Sequence, residues 1–183
     1  MNSRNLKITH CRLGFISLVV VFFLSGCGGT SSKQTGNSLP INSLFISELT
    51  ERQLGKSHYW ISIPADYFID VLEGPDFDVY YFLPTDTTAQ TLFMAGVYFG
   101  NHPSKFNPDN DSCKTEKEQS EIFGENVEWT LYNCNGKYSI QTIVDSKSGE
   151  PWNEYIHAFG RANSIAELPK LFDIFRTIRK ENE

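Results

Sequence analysis

The chain has 183 residues, with 22 acidic and 16 basic side chains and a formal net charge of −6 at pH 7. This length suits one domain with an adequate hydrophobic core. The acidic balance argues against nucleic acid and anionic lipid headgroups as partners, because both attract basic patches.

The first 26 residues have the three-part pattern of a secretory signal. A basic stretch without acidic residues precedes the apolar run 13–24, and small residues follow that run. The run is shorter than the ~20 residues that span a bilayer as a helix, so it fits the apolar part of a signal peptide. An ordinary secretory signal or an uncleaved anchor, in which Cys27 has no role, are the alternatives.

The sequence Leu24-Ser25-Gly26-Cys27 resembles the lipobox of bacterial lipoproteins. This resemblance implies that the Cys27 thiol receives a diacylglyceryl group, that residues 1–26 are removed, and that the new amine is acylated. Two or three acyl chains anchor a protein stably, since each buried methylene contributes roughly 0.8 kcal/mol. Many such proteins stay in the inner membrane when Asp follows the cysteine. Gly28 therefore implies the outer membrane, facing the periplasm.

Loss of the signal removes three basic residues and no acidic one, which leaves a net charge of −9. That charge suits a cationic protein partner, because complementary charge speeds encounter. Alternatively, it serves solubility alone. Residues 27–43 are rich in Gly, Ser, Thr and Asn and are interpreted as a flexible tether. Residues 44–183 are expected to form a single domain.

Cys113 and Cys134 are the pair that remains when Cys11 leaves with the signal and Cys27 is lipidated. An even pair in an oxidising compartment predicts a structural disulfide. Closing a loop of about 20 residues would stabilise the fold by roughly 3 kcal/mol. The sequence lacks the C-x-x-C spacing of a redox or metal site.

Beyond the tether, most segments favour strands. Residues 44–54 fit a first strand or a short helix, and residues 115–122 fit a strand or a helix. The run 92–99 is apolar at nearly every position, which predicts a central strand covered on both faces. Asn135-Gly136 is a strong hairpin signal. The other predicted strands are 59–63, 68–72, 77–83, 127–133, 137–145 and 155–162.

A helix is predicted at the end of the chain. Ser164 and Glu167 match a capping box, Pro169 fits only the first turn, and apolar residues then recur at helical spacing as far as Ile178. An antiparallel, twisted sheet of about six to eight strands with a C-terminal helix on one face is an α+β fold.

The order of these elements also carries a resemblance. The segment ISIPADYF, a meander of strands and the closing helix LPKLFDIFRTI are similar to PsbP-like domains, which include bacterial lipoproteins of the DcrB type. The resemblance implies an accessory or binding protein and supplies no catalytic residues.

Histidines give no catalytic or metal pattern. His58, His102 and His157 lack the spacing of metal ligands, and no cofactor is predicted. We expect His157 to be packed and hydrogen-bonded on a strand. His102 follows a strand in a segment with Gly and Pro, which makes it the most site-like histidine, although a structural turn is favoured.

Aspartates supply further candidates. Asp76 and Asp78 would share a strand face, and a glycosidase uses two carboxyl groups across a sugar cleft. Asp109 and Asp111 resemble half of a calcium loop but lack its glycine and distal glutamate, so that a polar turn is favoured. Adjacent edge carboxylates without any catalytic role are the common alternative for the first pair.

Three consecutive aromatic residues complete the set. Tyr80 and Phe82 face one side of their strand and Tyr81 the other, so that either side could be in the core. With the pair outward, they would form a binding patch. The candidate surface then consists of Asp76, Asp78, Tyr80, Phe82, His102, Asp109 and Asp111.

Three functional hypotheses follow. The first is a non-catalytic lipoprotein that binds a protein, for example an immunity protein that blocks a cationic toxin delivered to the periplasm. The second is an accessory lipoprotein of the DcrB type that binds a small ligand or lipid in an apolar pocket between sheet and helix. The third is an enzyme that acts on cell-wall glycans through the aspartate pairs.

Overall fold

Strands make up most of the structure. The computed structural model describes residues 40–86, 92–108, 112–149, 151 and 153–181. The predicted signal, Cys27 and most of the tether lie outside this range. The elements are α1 (Ser43–Glu48), β1 (Thr50–Gln53), β2 (Tyr59–Ile63), β3 (Tyr67–Glu73), β4 (Phe77–Pro84), β5 (Phe93–Gly100), β6 (Lys114–Ile122), β7 (Glu125–Cys134), β8 (Lys137–Asp145), β9 (Tyr155–Ala162), α2 (Leu168–Arg176) and β10 (Arg179–Lys180).

Seven strands form one antiparallel sheet, which we term the large sheet, in the order β3-β4-β5-β9-β8-β7-β6. A small sheet consists of β1, β2 and β10. Together with the C-terminal helix, these sheets confirm the predicted α+β class. No helix in the described part of the chain is both long enough and apolar enough to cross a membrane.

The hydrophobic core lies on one face of the large sheet, which we term the inner face. Helix α2 packs against this face and against β2. Phe172 and Phe175 of α2 are fully buried, and their ring centroids lie 5.4 and 5.0 Å from that of Trp129 on β7. Burying such a side chain stabilises the fold by roughly 1.5–3 kcal/mol, so these rings hold the helix on the sheet.

Strand β5 departs from the prediction on one side. Its inward residues Ala95, Val97 and Phe99 are buried, as expected for a strand near the middle of a sheet. Met94, on the opposite face, is 39% exposed. The prediction that both faces are covered is therefore correct for the inner face and only in part for the outer face, where Gly96 and Gly100 are buried but Met94 is exposed.

The segment 115–122, whose sequence fits either a strand or a helix, belongs to the strand β6, which pairs with β7 along its whole length. Asn135 and Gly136 join β7 to β8 with φ angles of 56° and 81°, which confirms the predicted hairpin. Next to this turn, at the Lys114–Asn133 end of the β6–β7 ladder, Cys113 and Cys134 form the predicted disulfide, with Cα atoms 4.3 Å apart.

Helix α2 begins later than a capping box would place it. Glu167 is the N-cap residue and its side chain forms no capping bond, but it pairs with Lys170 at 2.8 Å. The N–H of Glu167 donates to the Ser164 carbonyl at 3.3 Å in a preceding turn, so the predicted capping box is wrong. Pro169 lies in the first turn as predicted, where its missing N–H costs nothing. The segment 44–54 holds both α1 and β1.

Candidate functional site

The second face of the large sheet, which we term the outer face, is only partly covered. The segment 101–108, between β5 and β6, crosses it over β7, β8 and β9. Phe106 in this segment packs against Tyr132 and His157, with ring centroids 6.0 and 6.1 Å away. Among the described residues, no corresponding segment lies over the outer face of β3 and β4.

One side chain, Gln141 on β8, fixes the covering segment to the sheet. Its Oε1 accepts hydrogen bonds from the Phe106 N–H at 3.0 Å and from Nε2 of His157 at 3.1 Å. Its Nε2 donates to the Phe106 carbonyl and, at 3.1 Å, to the Tyr132 hydroxyl. The amide thereby uses its full hydrogen-bonding capacity, which explains how Gln141 is accommodated while buried.

His157 is neutral in this environment. Desolvation, aided by the nearby charge of Lys105, lowers the pKa of His157 from 6.5 to about 4. A neutral imidazole that donates from Nε2 matches the acceptor that Gln141 offers. The prediction of a packed, hydrogen-bonded histidine on a strand is confirmed.

A groove with an apolar lining lies beside the covering segment. Its apolar lining comes from Tyr81 and Leu83 of β4, Met94 of β5 and Phe159 of β9, Phe106 forms one wall, and Arg161 of β9 is the charged residue beside it. Its volume is about 280 Å³. We term it the apolar groove. Apolar concavities with aromatic linings are common at sites that bind ligands or partner side chains.

Gly96 allows the groove to have this form. Tyr81, Gly96 and Phe159 lie side by side on the outer face in the register of the sheet. A Cβ atom at position 96 would lie 2.6 Å from Cζ of Phe159, well inside van der Waals contact. The missing side chain therefore lets the Phe159 ring lie across β5 and approach Tyr81 edge-on, at 6.0 Å.

The apolar surface continues from the groove to the edge strand β3. Phe68 and Leu72 on the outer face are 42% and 52% exposed. Phe68 is the ladder partner of Leu83 in the groove. Contiguous exposed apolar side chains of this kind often mark interaction surfaces.

Negative charge is concentrated at the β3–β4 end of the large sheet. Residues 57–104 contain six acidic residues and neither Lys nor Arg. Five of the six lie on or next to β3 and β4, and we term them the acidic end: Asp66, Asp70, Glu73, Asp76 and Asp78. None of the five forms an ion pair within the described part of the chain. Asp70 shares the outer face with the apolar surface, whereas Glu73 and Asp78 lie on the inner face. Carboxylates without an ion-pair partner at this end of the sheet would attract a basic partner.

Two predicted site residues, Asp78 and Tyr80, come together in a separate polar cavity of about 340 Å³. Lys56, His58 and Glu73 also contribute to its lining. Burial above all, and then the neighbouring Asp78 carboxylate, raises the pKa of Tyr80 to about 12. The Tyr80 phenol donates a hydrogen bond to the Asp78 side chain, which favours the protonated form of the phenol.

The predicted outward aromatic patch is wrong. Tyr80 and Phe82 are 3% and 1% exposed, because they face the core, and Tyr81 faces outward in their place. Asp76 lies in the turn between β3 and β4 and therefore does not share a strand face with Asp78. The predicted shared strand face of this aspartate pair is therefore wrong.

The remaining candidates are dispersed. His102 is exposed in the covering segment, where its N–H donates to the Tyr98 hydroxyl at 3.2 Å. Asp109 and Asp111, the half calcium loop, lie outside the described residues, as does Cys27. Among the residues whose positions are described, no three His, Cys, Asp or Glu side chains could together hold a metal ion.

Sequence reasoning missed Leu83, Met94 and Phe159. The available signal is the run of apolar residues at 92–99, from which the sequence predicts coverage of both faces of β5. Neither a protein-family model nor a curated protein matches the chain. The function must therefore be inferred from the lipobox-like sequence and the surface just described.

Proposed function

We propose that this chain is a lipid-anchored protein of the bacterial cell envelope that acts by binding another protein and catalyses no reaction. The sequence Leu24-Ser25-Gly26-Cys27 supports the anchor, with Cys27 as the lipidated residue facing the periplasm from the outer membrane. The anchor keeps the domain close to the membrane and raises its local concentration near partners that arrive there.

The observation that carries the proposal is the uncovered apolar groove beside the acidic end. Interfaces between proteins place aromatic and Met side chains at a charge-depleted centre, with polar groups around it. Tyr81, Met94 and Phe159 supply such a centre, with Arg161 of β9 beside it. Acidic groups lie on the opposite side, with Asp70 on the outer face of β3 and Asp66 and Asp76 beyond its ends. The partner is accordingly a basic protein with an apolar projection.

A basic toxin that degrades the cell wall and is delivered to the periplasm has this chemistry, and the chain would then be its immunity protein. Charge steering would let a tethered, acidic inhibitor capture such a toxin quickly. The net charge of −9 expected after removal of residues 1–26 supports this version.

Site-specific photo-crosslinking in cells that produce the full chain tests the proposal. A photoreactive residue at Met94 should crosslink to one basic protein, and the same residue at Glu121 on the outer face of β6 should not. Charge reversal by Asp70→Lys with Asp76→Lys should weaken the Met94 crosslink, because the acidic end would lose negative charge. Equal crosslinking at both positions, or indifference to charge reversal, would contradict the proposal.

The anchor is tested separately by the intact mass of the protein from native membranes. We expect the mass of a chain that begins at Cys27 and carries acyl groups. Retention of residue 1, or an unmodified thiol at position 27, would refute the anchoring while leaving the binding surface to the crosslinking experiment.

The apolar groove also favours a second candidate, an accessory protein that binds a small apolar ligand. Its volume of about 280 Å³ is close to the lower end of small-molecule pockets. The space between α2 and the sheet, where the sequence placed such a pocket, holds fully buried side chains such as Leu171 and Phe172. Native mass spectrometry of the protein with medium-chain fatty acids separates the candidates: bound fatty acid that Met94→Glu abolishes would favour the ligand.

A further inference from the structure

Strand β3 has unpaired backbone groups along its open edge. It pairs with β4 alone, and Asp66 before it and Gly74 after it both form main-chain hydrogen bonds with the β4 side. Alternate residues of a strand point their N–H and C=O groups to the same side. The groups that point away from β4, and that have no main-chain partner among the described residues, are therefore those of Ile69, Val71 and Glu73.

The two edge strands of the large sheet, β3 and β6, differ in how strongly their side chains discourage pairing with another strand. On β6, Lys and Glu occupy five of the nine positions, and charged side chains discourage pairing with another strand. On β3, the two charged residues are both acidic, while Phe68, Val71 and Leu72 are exposed. The β3 edge therefore lacks the protection that the β6 edge has.

We propose that an extended, basic segment of the partner protein adds to β3 as a further strand of the large sheet. This inference rests on the proposed function, because it specifies how the protein partner is held. Main-chain hydrogen bonds along the β3 edge supply affinity in strand addition, and alternate side chains supply specificity. Side chains on the outer face would continue directly into the apolar groove.

The carboxylates on and beside β3 indicate which kind of strand can pair with its open edge. Asp70 lies in the middle of β3, Glu73 at its end, and Asp66 and Asp76 just beyond its two ends. A β3 strand from a second copy would bring its own carboxylates to this surface, and like charges on paired strands are destabilising. Lys or Arg at alternate positions of a partner strand all lie on one face. They would lie beside Glu73 on the inner face when the intervening apolar side chains face the apolar groove. The edge therefore fits a basic segment better than it fits a second copy.

Amide exchange in the full-length, lipidated chain in nonionic detergent tests strand addition. The probe is a short synthetic peptide that alternates Lys with Val. We expect it to slow exchange of the Ile69, Val71 and Glu73 amides by at least about tenfold, without effect on β6. A peptide with Glu in place of Lys should have no effect. Protection at β6, or binding without protection at β3, would overturn the inference.

Three substitutions of Val71 provide a second test of strand addition. Val71→Pro removes an outward N–H and leaves the β4 ladder intact, so it should weaken peptide binding by at least about tenfold. Val71→Thr keeps the N–H and the β-branched shape and should bind as the native chain does. Val71→Lys repels a basic strand without altering the backbone, and it should also weaken binding if Val71→Pro fails to fold.

The outcomes separate this inference from the proposed function. Undiminished peptide binding by Val71→Lys, together with a persistent Met94 crosslink, would refute strand addition and leave the protein-binding surface supported. If a photoreactive residue at position 94 of an otherwise native chain formed no crosslink to a basic protein, that result would count against the proposed function itself.

Discussion

Replacing Gln141 with leucine would remove four hydrogen bonds while changing the volume of the side chain little. Nε2 of His157 would be left as a buried donor without a partner, and the Phe106 N–H would lose its acceptor. The Tyr132 hydroxyl would keep its contacts with Phe106 and Asn107. A buried unsatisfied donor costs about 1–3 kcal/mol, and a part-buried group costs less, so the free energy of unfolding should fall by about 2–4 kcal/mol.

Urea unfolding at neutral pH, followed by tryptophan fluorescence, measures this loss. The matched control is Gln119→Leu on β6, which makes the same chemical change on the same face of the sheet. Gln119 is only half-buried and its side chain forms no hydrogen bond among the described residues, so its replacement should change stability by less than about 0.5 kcal/mol. A loss for Gln141→Leu no larger than that of the control would refute the role of Gln141 in holding the covering segment.

Three further predictions concern stability. The folded-state pKa of His157 is lowered from 6.5 to about 4, so the free energy of unfolding should fall by about 2–3 kcal/mol as the pH falls through that interval. In urea unfolding, the His157→Gln variant should lack this pH-dependent loss. Replacing Cys113 and Cys134 with serine should lower the free energy of unfolding by roughly 3 kcal/mol, and a reductant should then have no further effect. Gly96→Ala should cost about 1–3 kcal/mol by displacing the ring of Phe159, and thermal unfolding should show a smaller cost in a Phe159→Ala background.

Local signals in the sequence predicted the parts of the fold that depend on local conformational preference. Asn135-Gly136 gave the hairpin because both residues tolerate positive φ. Alternation gave β2, in which Tyr59, Ile61 and Ile63 are the buried residues. Such signals operate over a few neighbouring residues and need no knowledge of what covers them.

Segments decided by long-range packing could not be predicted in this way. Residues 115–122 are rich in Lys and Glu, yet pairing with β7 makes them a strand, because tertiary context overrides a weak local preference. In β4, large apolar side chains lie on both faces, so alternation could not show whether Tyr80 or Tyr81 faces the core. The neighbouring strands and α2 decide that Tyr80 faces inward.

The extent of the candidate binding surface is set by the polar contact between Gln141 on β8 and the covering segment. Apolar contacts of Phe106 alone would allow that segment to shift along the sheet, since hydrophobic burial is not directional. The bonds from Gln141 to both main-chain groups of Phe106 fix the ring at one position, over Tyr132 and His157. The cover therefore ends at Phe106, and the aromatic floor formed by Tyr81 and Phe159 stays open. The buried Gln141 amide thus determines where the open half of the outer face, which holds the candidate binding surface, begins.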